Sequence, residues 1–205
     1  MADSAFWDER YRGAEYAYGE APNAFLASLA FQPGGRALVP GDGEGRNGVY
    51  LAKLGLEVET LDLSAEGVRK ARVLALSRGV KVDAKQADVL AWNWREAAYD
   101  LVALLYLHLP APQRRVLHAR ALAALKPGGR IVLEAFTPAQ LEKQNAGARG
   151  GPRDAALLYR ADELRADFAE AEIELLQETE VDLHEGALHV GPSAVVRLAA
   201  RRRAI

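Results

Sequence analysis

Leu38-Val39-Pro40-Gly41-Asp42-Gly43-Glu44-Gly45-Arg46-Asn47 begins in an apolar run and ends in a segment of helical period. A strand over Arg36 to Pro40 therefore meets a helix over Arg46 to Gly55, with Val49, Tyr50, Leu51 and Leu54 on its apolar side and Gly55 as its stop. Three glycines at alternate positions, Gly41, Gly43 and Gly45, fill the junction. Lacking a Cβ, they let the backbone turn sharply and approach a ligand, while the first N–H groups of the following helix offer an anion site. An ordinary glycine turn has the same composition. It is the placement directly after the first strand that points to a nucleotide-type ligand.

Working outward, the alternation of strand and helix recurs. A second strand, Glu57 to Leu61, precedes a helix capped by Ser64 that turns Val68, Ala71, Val73, Leu74 and Ala75 mostly inward and closes at Gly79. Lys81 to Gln86 is the third strand, and Trp92 and Trp94 lie in a short helix or loop. Tyr99 to Leu105, apolar without a break from Leu101 on, is suited to a strand buried on both faces at the sheet centre. Pro110 and Pro112 precede a helix to Leu125, Pro127-Gly128-Gly129 forces a turn, and Arg130 to Phe136 is the fifth strand. Such a series predicts an α/β fold with a parallel sheet and crossover helices.

Beyond it, Thr137 to Tyr159 reads as a helix start followed by a long irregular loop, and Asp162 caps a short helix through Leu164 and Phe168. Glu172 to Leu183 and Ala187 to Ala199, separated by His184-Glu185-Gly186, predict a closing hairpin. With no internal repeat or linker, the expectation is one domain over 1–205. Its parts are an N-terminal helical lid (1–30), a cofactor-binding core (36–136), a substrate-side loop and helix (137–168) and the hairpin (172–199).

Two acids close strands at the edge where open parallel sheets bind their ligands. Asp62 follows Gly45 by 17 residues, placed to accept hydrogen bonds from both hydroxyls of a ribose held over the glycine turn. It also stands where an acid would serve only the helix capped by Ser64. Asp88 ends the third strand.

Composition removes other classes. Of the 205 residues, 50% are hydrophobic and 26% charged, which suits a folded core. A net charge of −2 supplies no field to gather phosphodiesters, so no nucleic-acid partner is expected, and Arg201-Arg202-Arg203 reads as a solvated tail. The absence of Cys excludes disulfides and thiolate metal sites. The acidic start, Met1 to Arg10, is no secretion signal, and Leu101 to Leu109 is far short of the ~20 residues that cross a bilayer. A soluble, cytoplasmic, monomeric protein without membrane contact or metal is expected.

The chain resembles class I S-adenosylmethionine-dependent methyltransferases, specifically the small tellurite-resistance-related group, over nearly its whole length. Phe6-Trp7-Asp8-Glu9-Arg10-Tyr11 and the stretch from Tyr16 to Leu26 look like that group's opening, and Gly41-x-Gly43-x-Gly45-Arg46-Asn47, Leu61-Asp62-Leu63-Ser64, Ala87-Asp88-Val89 and Leu125-Lys126-Pro127-Gly128-Gly129 match the general motifs in order. The resemblance implies a Rossmann-like, doubly wound, seven-stranded and mostly parallel sheet with an antiparallel last strand and helices on both faces. It implies S-adenosyl-L-methionine as cofactor, with Gly41, Gly43 and Gly45 beneath the methionine part, Asp62 on the ribose, and Leu63, Asp88 and Val89 around adenine. Leu105 and Tyr106 would lie near the sulfonium, and Asp42, Arg46 and Asn47 complete the expected cofactor set. One departure is Val39, where the group often has an acid; Asp42 and Glu44 are the substitutes at hand.

Methyl transfer from a sulfonium is an in-line displacement that needs alignment and exclusion of water, and a base only where the acceptor must lose a proton. No catalytic dyad is therefore required. Tyr106 and His108, just past the fourth strand, are the candidates for a chemical role, His108 reading equally as a pocket wall. Trp7, Tyr11 and Tyr18 read as a lid or as packing, together with Arg149 and Arg153 of the Gly-rich loop, which could attract an anionic acceptor. His118, among Arg114, Arg115 and Arg120, reads as a solvated surface residue, and the spacing of His184, Glu185 and His189 as chance. The acceptor expected is a small molecule, such as a thiol or chalcogen compound. Two rivals are an NAD-dependent oxidoreductase, since Gly43-x-Gly45-x-x-Gly48 also fits the dinucleotide pattern, and a non-catalytic S-adenosylmethionine-binding protein.

Overall fold

The computed structural model describes residues 3–204. Strands β1 (Arg36–Pro40), β2 (Glu57–Asp62), β3 (Val82–Gln86), β4 (Tyr99–Leu105), β5 (Leu125–Phe136), β6 (Ala171–Glu185) and β7 (His189–Arg202) form one sheet. Their order is β3-β2-β1-β4-β5-β7-β6, with β7 antiparallel to both neighbours and the pairs among β1 to β5 parallel. Chain order reverses between β1 and β4, which places a crevice outside their carboxyl ends. The fold is thus the α/β sheet with crossover helices that the alternating pattern predicted, in the doubly wound, Rossmann-like form that the resemblance implied. No helix among the described residues is long and apolar enough to cross a membrane.

Strand periodicity divides the core. Leu38, Val102, Leu104, Ile131 and Leu133 pack against Leu117 and Ala121 of α5 (Ala111–Ala124) and against Leu164 and Phe168 of α7 (Ala161–Asp167). Their neighbours Ala37, Val39, Leu101, Ala103 and Leu105 face the other way, onto Phe25 and Leu26 of α2 (Ala24–Ala27) and Leu51 of α3 (Arg46–Lys53). Burial on both faces is what the apolar run of β4 encodes. The helix α4 (Ala65–Ser77) packs on β3 and on α3, its Ser64 hydroxyl accepting from Gly67 N at 3.0 Å. Gly45, at φ +91°, lets the two helices meet: a Cβ there would stand 2.5 Å from that of Ala71. Val73, expected inward, is instead half exposed.

Three further expectations are corrected. β5 begins at Leu125 rather than Arg130, because Lys126 to Gly129 bulge out between the pairs Tyr99↔Leu125 and Leu101↔Arg130, with Gly128 at φ +77°. Asp162 lies inside α7; the helix is closed at its start by the Glu163 carboxylate, which accepts from Arg160 N at 3.2 Å. The stretch after Thr137 carries α6 (Gln140–Asn145) and a short 3₁₀ turn, Ala155–Leu157. His118 is buried, not solvated, because α7 covers α5: Asp167 Oδ2 accepts from Arg114 Nε and meets His118 Nδ1, each at 2.8 Å.

Candidate functional site

The glycine turn takes the left-handed backbone that its composition allows, with Gly41 at φ +70° and Gly43 at +58°. It is tied to the end of β2 by Asp62, whose Oδ2 accepts from Gly43 N at 2.7 Å and whose Oδ1 accepts from Ser64 N at 2.9 Å. Asp62 is 8% exposed, and burial raises its carboxyl despite those two backbone donors. The second strand's terminal acid therefore faces the crevice and not bulk water.

The N-terminal segment covers that crevice. On α1 (Ser4–Tyr11), Asp8 Oδ1 accepts from Ser64 Oγ and from Glu66 N, at 2.5 and 3.1 Å. Tyr11 is buried with its ring between Gly43 and Gly67, stacked on Trp7 at 5.8 Å between centroids. Burial, then the Asp62 carboxylate, drives its phenol far above the usual range. Tyr11 fills the space beside Asp62 and Gly43, and a buried carboxylate next to a turn without side chains is a setting that suits the hydroxyls of a ribose. Two buried charges hold the cover down: Lys70 Nζ donates to the carbonyls of Gly13 and Glu15, at 2.9 and 2.7 Å, and pairs with Glu44, whose Oε2 accepts from Ala17 N at 2.7 Å. Glu44 is thus spent on the cover.

Other expected residues divide between wall and framework. Leu63 is half-buried and Val89 buried at the edge, whereas Asp88 is exposed, with Oδ1 accepting from Leu90 N at 2.8 Å. Leu105 is buried at the end of β4. Asp42 points beneath the turn: its Oδ2 accepts from Gly48 N at 2.9 Å, and burial pushes its carboxyl up to about 7. Asn47 Oδ1 accepts from Asn23 N at 2.9 Å, and Arg46 donates to Ala21 O and to Glu185. In this conformation all three brace the loops around the crevice.

Past β4, Tyr106 adopts φ +55°, and its hydroxyl donates to Glu134 Oε1 at 2.6 Å. His108 has both ring nitrogens engaged by backbone: Nδ1 lies 2.7 Å from Leu157 O, and Nε2 accepts from Phe136 N at 3.3 Å. Withdrawal from water pushes its pKa down to about 4, so it is a neutral wall of the pocket with no nitrogen free for a proton. Tyr18 packs tilted against His189, with centroids 4.5 Å apart, and accepts from Arg10. Arg149 and Arg153 are exposed, and the Arg149 backbone pairs with Val190.

Three ionisable groups here escaped the sequence reading. Glu134 is buried on β5, bonded to Asn23 Nδ2, Tyr106 and Arg197. An acid inside Ile131-Val-Leu-Glu134-Ala-Phe136 is the signal that could have found it. Glu185 and His189 come together across the hairpin turn, where the strand pair Glu185↔His189 overrides the spacing argument.

A glycine cradle on the first crossover and a buried acid ending the second strand, beside a topological switch point, define a nucleotide-type cofactor-binding α/β protein. Residues 37–129, a little under half of the chain, match the family model of methyltransferase domains, a family that uses S-adenosylmethionine. The nicotinamide reading gives way to that match, the turn opening at Gly41, ahead of the dinucleotide pattern.

The chain is 34% identical over 131 residues to the ubiquinone biosynthesis O-methyltransferase of Xanthomonas campestris pv. campestris, covering 60% of this chain and 53% of that protein. It thus spans about half the length of the curated relatives it matches. Among solved structures, it superposes on one titled for the conversion of a disulfide bond into a thioacetal group during echinomycin biosynthesis, with TM-score 0.78 and 24% identity over 98% of this chain and 90% of that one. TehB from Haemophilus influenzae gives 0.72 and 17% identity over 98% and 67%. These likenesses show the fold.

Proposed function

We propose that the chain transfers the methyl group of S-adenosylmethionine to a small-molecule acceptor. The observation that carries this reading is the Asp62–Gly43 cradle at the carboxyl edge of the sheet within a matched methyltransferase domain. Gly41, Gly43 and Gly45 would lie under the methionine part, Asp62 would take the ribose hydroxyls, and Leu63, Asp88 and Val89 would border adenine. Leu105 and Tyr106 would face the sulfonium. When bound, the cofactor supplies an activated methyl carbon. The chain's own work is to orient the acceptor and keep water out.

Residues 3–30 act as the lid, with Trp7, Tyr11 and Tyr18 on its inner side; residues 1 and 2 of the expected lid lie outside the described residues. Tyr11 must leave the cradle for the cofactor to enter, so binding and opening are coupled. We place the substrate side between the lid, the loop bearing Arg149 and Arg153, and the closing hairpin. A cytoplasmic monomer acting on a thiol or chalcogen compound, as in the tellurite-resistance-related group, is the working assignment.

Isothermal titration with S-adenosylhomocysteine tests the reading. Saturable binding is expected, and product mass from thiol, chalcogen-oxyanion, amine and phenol acceptors then reports turnover. Absence of binding, with heat from NAD instead, ends the methyltransferase reading. Binding without transfer to any acceptor favours a non-catalytic cofactor-binding protein.

A further inference from the structure

The hairpin brings a carboxylate and an imidazole together beside the crevice. His189, 5% exposed, sets Nδ1 3.0 Å from Glu185 Oε2, and the same oxygen accepts from Arg46 at 2.8 Å. Arg46 opens α3 directly after the glycine turn, and Tyr106, whose ring meets His189 edge-on at 4.5 Å, follows β4. The imidazole therefore stands between the cofactor side and the substrate side. Tyr18 of the lid closes over it at 4.5 Å, and Phe136 lies 5.3 Å away.

We propose that His189, oriented by Glu185, is the general base that deprotonates the acceptor, and that the acceptor is a neutral molecule bearing an O–H or S–H group. The inference rests on the methyltransferase reading above. A carboxylate on Nδ1 fixes the tautomer with its proton there and leaves the Nε2 lone pair for a substrate. Nε2 makes no hydrogen bond with the described residues, unlike His108, whose two nitrogens are both taken. Gly150 and Gly151 pass close over the His189 and Phe136 rings without side chains: a Cβ on Gly150 would stand 3.2 Å from His189 Cδ2, and one on Gly151 2.8 Å from Phe136.

Charge around the ring agrees. Facing it are Glu185, Arg46 from α3, Glu134 from β5 and the neutral His108. Although burial raises it, the His189 hydrogen bond and Arg46 hold the Glu185 carboxyl below its usual range. Burial first, then Arg46, lowers His189 against the pull of Glu185, so the ring is neutral and basic at neutral pH. Arg46 is spent on Glu185 and Arg197 on Glu134, so neither arginine is left for an oxyanion acceptor. In the step, the acceptor's proton passes to Nε2 as its oxygen or sulfur bonds to the methyl carbon. The carbon–sulfur bond breaks with its electron pair kept on sulfur, and the imidazolium returns its proton to water.

Nitrogen-detected NMR of the full chain labelled on histidine and saturated with S-adenosylhomocysteine reads the tautomer, with His189→Gln assigning the signal. The expected result is protonated Nδ1, bare Nε2 and a pKa below 6.5; an Nε2–H tautomer or an imidazolium at pH 7 overturns the proposal. In parallel, a panel of phenols and thiophenols is compared with selenite and a tertiary amine. Transfer to the proton-bearing members, with kcat falling 10²–10⁴-fold in His189→Gln and homocysteine-product affinity within threefold, supports it. Transfer to selenite or the amine alone, or an unchanged pH profile in the variant, refutes it. Loss of S-adenosylhomocysteine binding by the unmodified chain counts against the methyltransferase reading instead, and the tautomer decides the present proposal whatever the panel contains.

Discussion

The Tyr11 hydroxyl stands 2.7 Å from the place where a side chain on Gly43 would begin. Gly43 also holds φ +58° and gives its N–H to Asp62, so cover, turn and acid meet at one residue. Gly43→Ala should cost about 1–2 kcal/mol from the left-handed backbone alone. It should also weaken S-adenosylhomocysteine at least tenfold by placing a methyl group in the cradle. Urea unfolding and titration calorimetry read the two effects separately. Wild-type affinity in a stably folded Gly43→Ala chain would remove the cradle from the cofactor site.

Asp62 has two duties that a conservative change separates. In Asp62→Asn the side-chain oxygen can still accept from Gly43 N, which holds the turn, while the bond from Ser64 N is given up and the charge that would grip two hydroxyls is gone. A charged hydrogen bond is worth roughly 1.5–3 kcal/mol, so affinity should fall about 10- to 100-fold. With the acceptor saturating, the KM for S-adenosylmethionine should rise and kcat change little, the signature of uniform binding. A kcat loss at unchanged KM would contradict the ribose assignment.

Glu44 and Lys70 clamp the cover from beneath, both nearly fully buried and paired at 2.5 Å. Glu44→Gln removes the pairing charge while leaving an oxygen for Ala17 N. Residues 11–20 should then exchange their amide hydrogens faster, and S-adenosylhomocysteine should associate more quickly, since opening precedes entry. Hydrogen exchange by mass spectrometry and stopped-flow binding test this. Unchanged exchange over 11–20 would separate the ion pair from the lid.

The sheet was legible because its signals are local. Leu101 to Leu105 is apolar at every position because both faces are buried, and Ser64 and the turn glycines mark helix starts by short-range chemistry. What escaped depends on contacts between distant residues. His118 looked solvated from its arginine neighbours, yet Asp167 from another helix buries it. Asp42, Arg46 and Asn47 sit within the motif, but their partners, Gly48, Glu185 and Asn23, decide which way they point. His189 and Glu185 were dismissed on helix and strand spacing, which a two-stranded turn does not obey.

Asp42 and His108 tilt stability in opposite directions with pH. Burial raises the folded pKa of Asp42 from 3.8 to about 7, so its contribution is present below the unfolded value and is lost as pH rises toward 7. Burial lowers that of His108 from 6.5 to about 4; its contribution is present above 6.5 and is lost as pH falls toward 4. Between pH 4 and 6.5 the contributions of these two groups oppose each other. In His108→Gln, whose amide can serve both backbone partners, stability should fall with rising pH relative to the unmodified chain, the difference in slope approaching ~1.4 kcal/mol per pH unit. Asp42→Asn should show the reverse difference over the same window. Guanidinium unfolding of the three proteins at half-unit pH steps measures it, and parallel curves for all three would show that neither group titrates on unfolding.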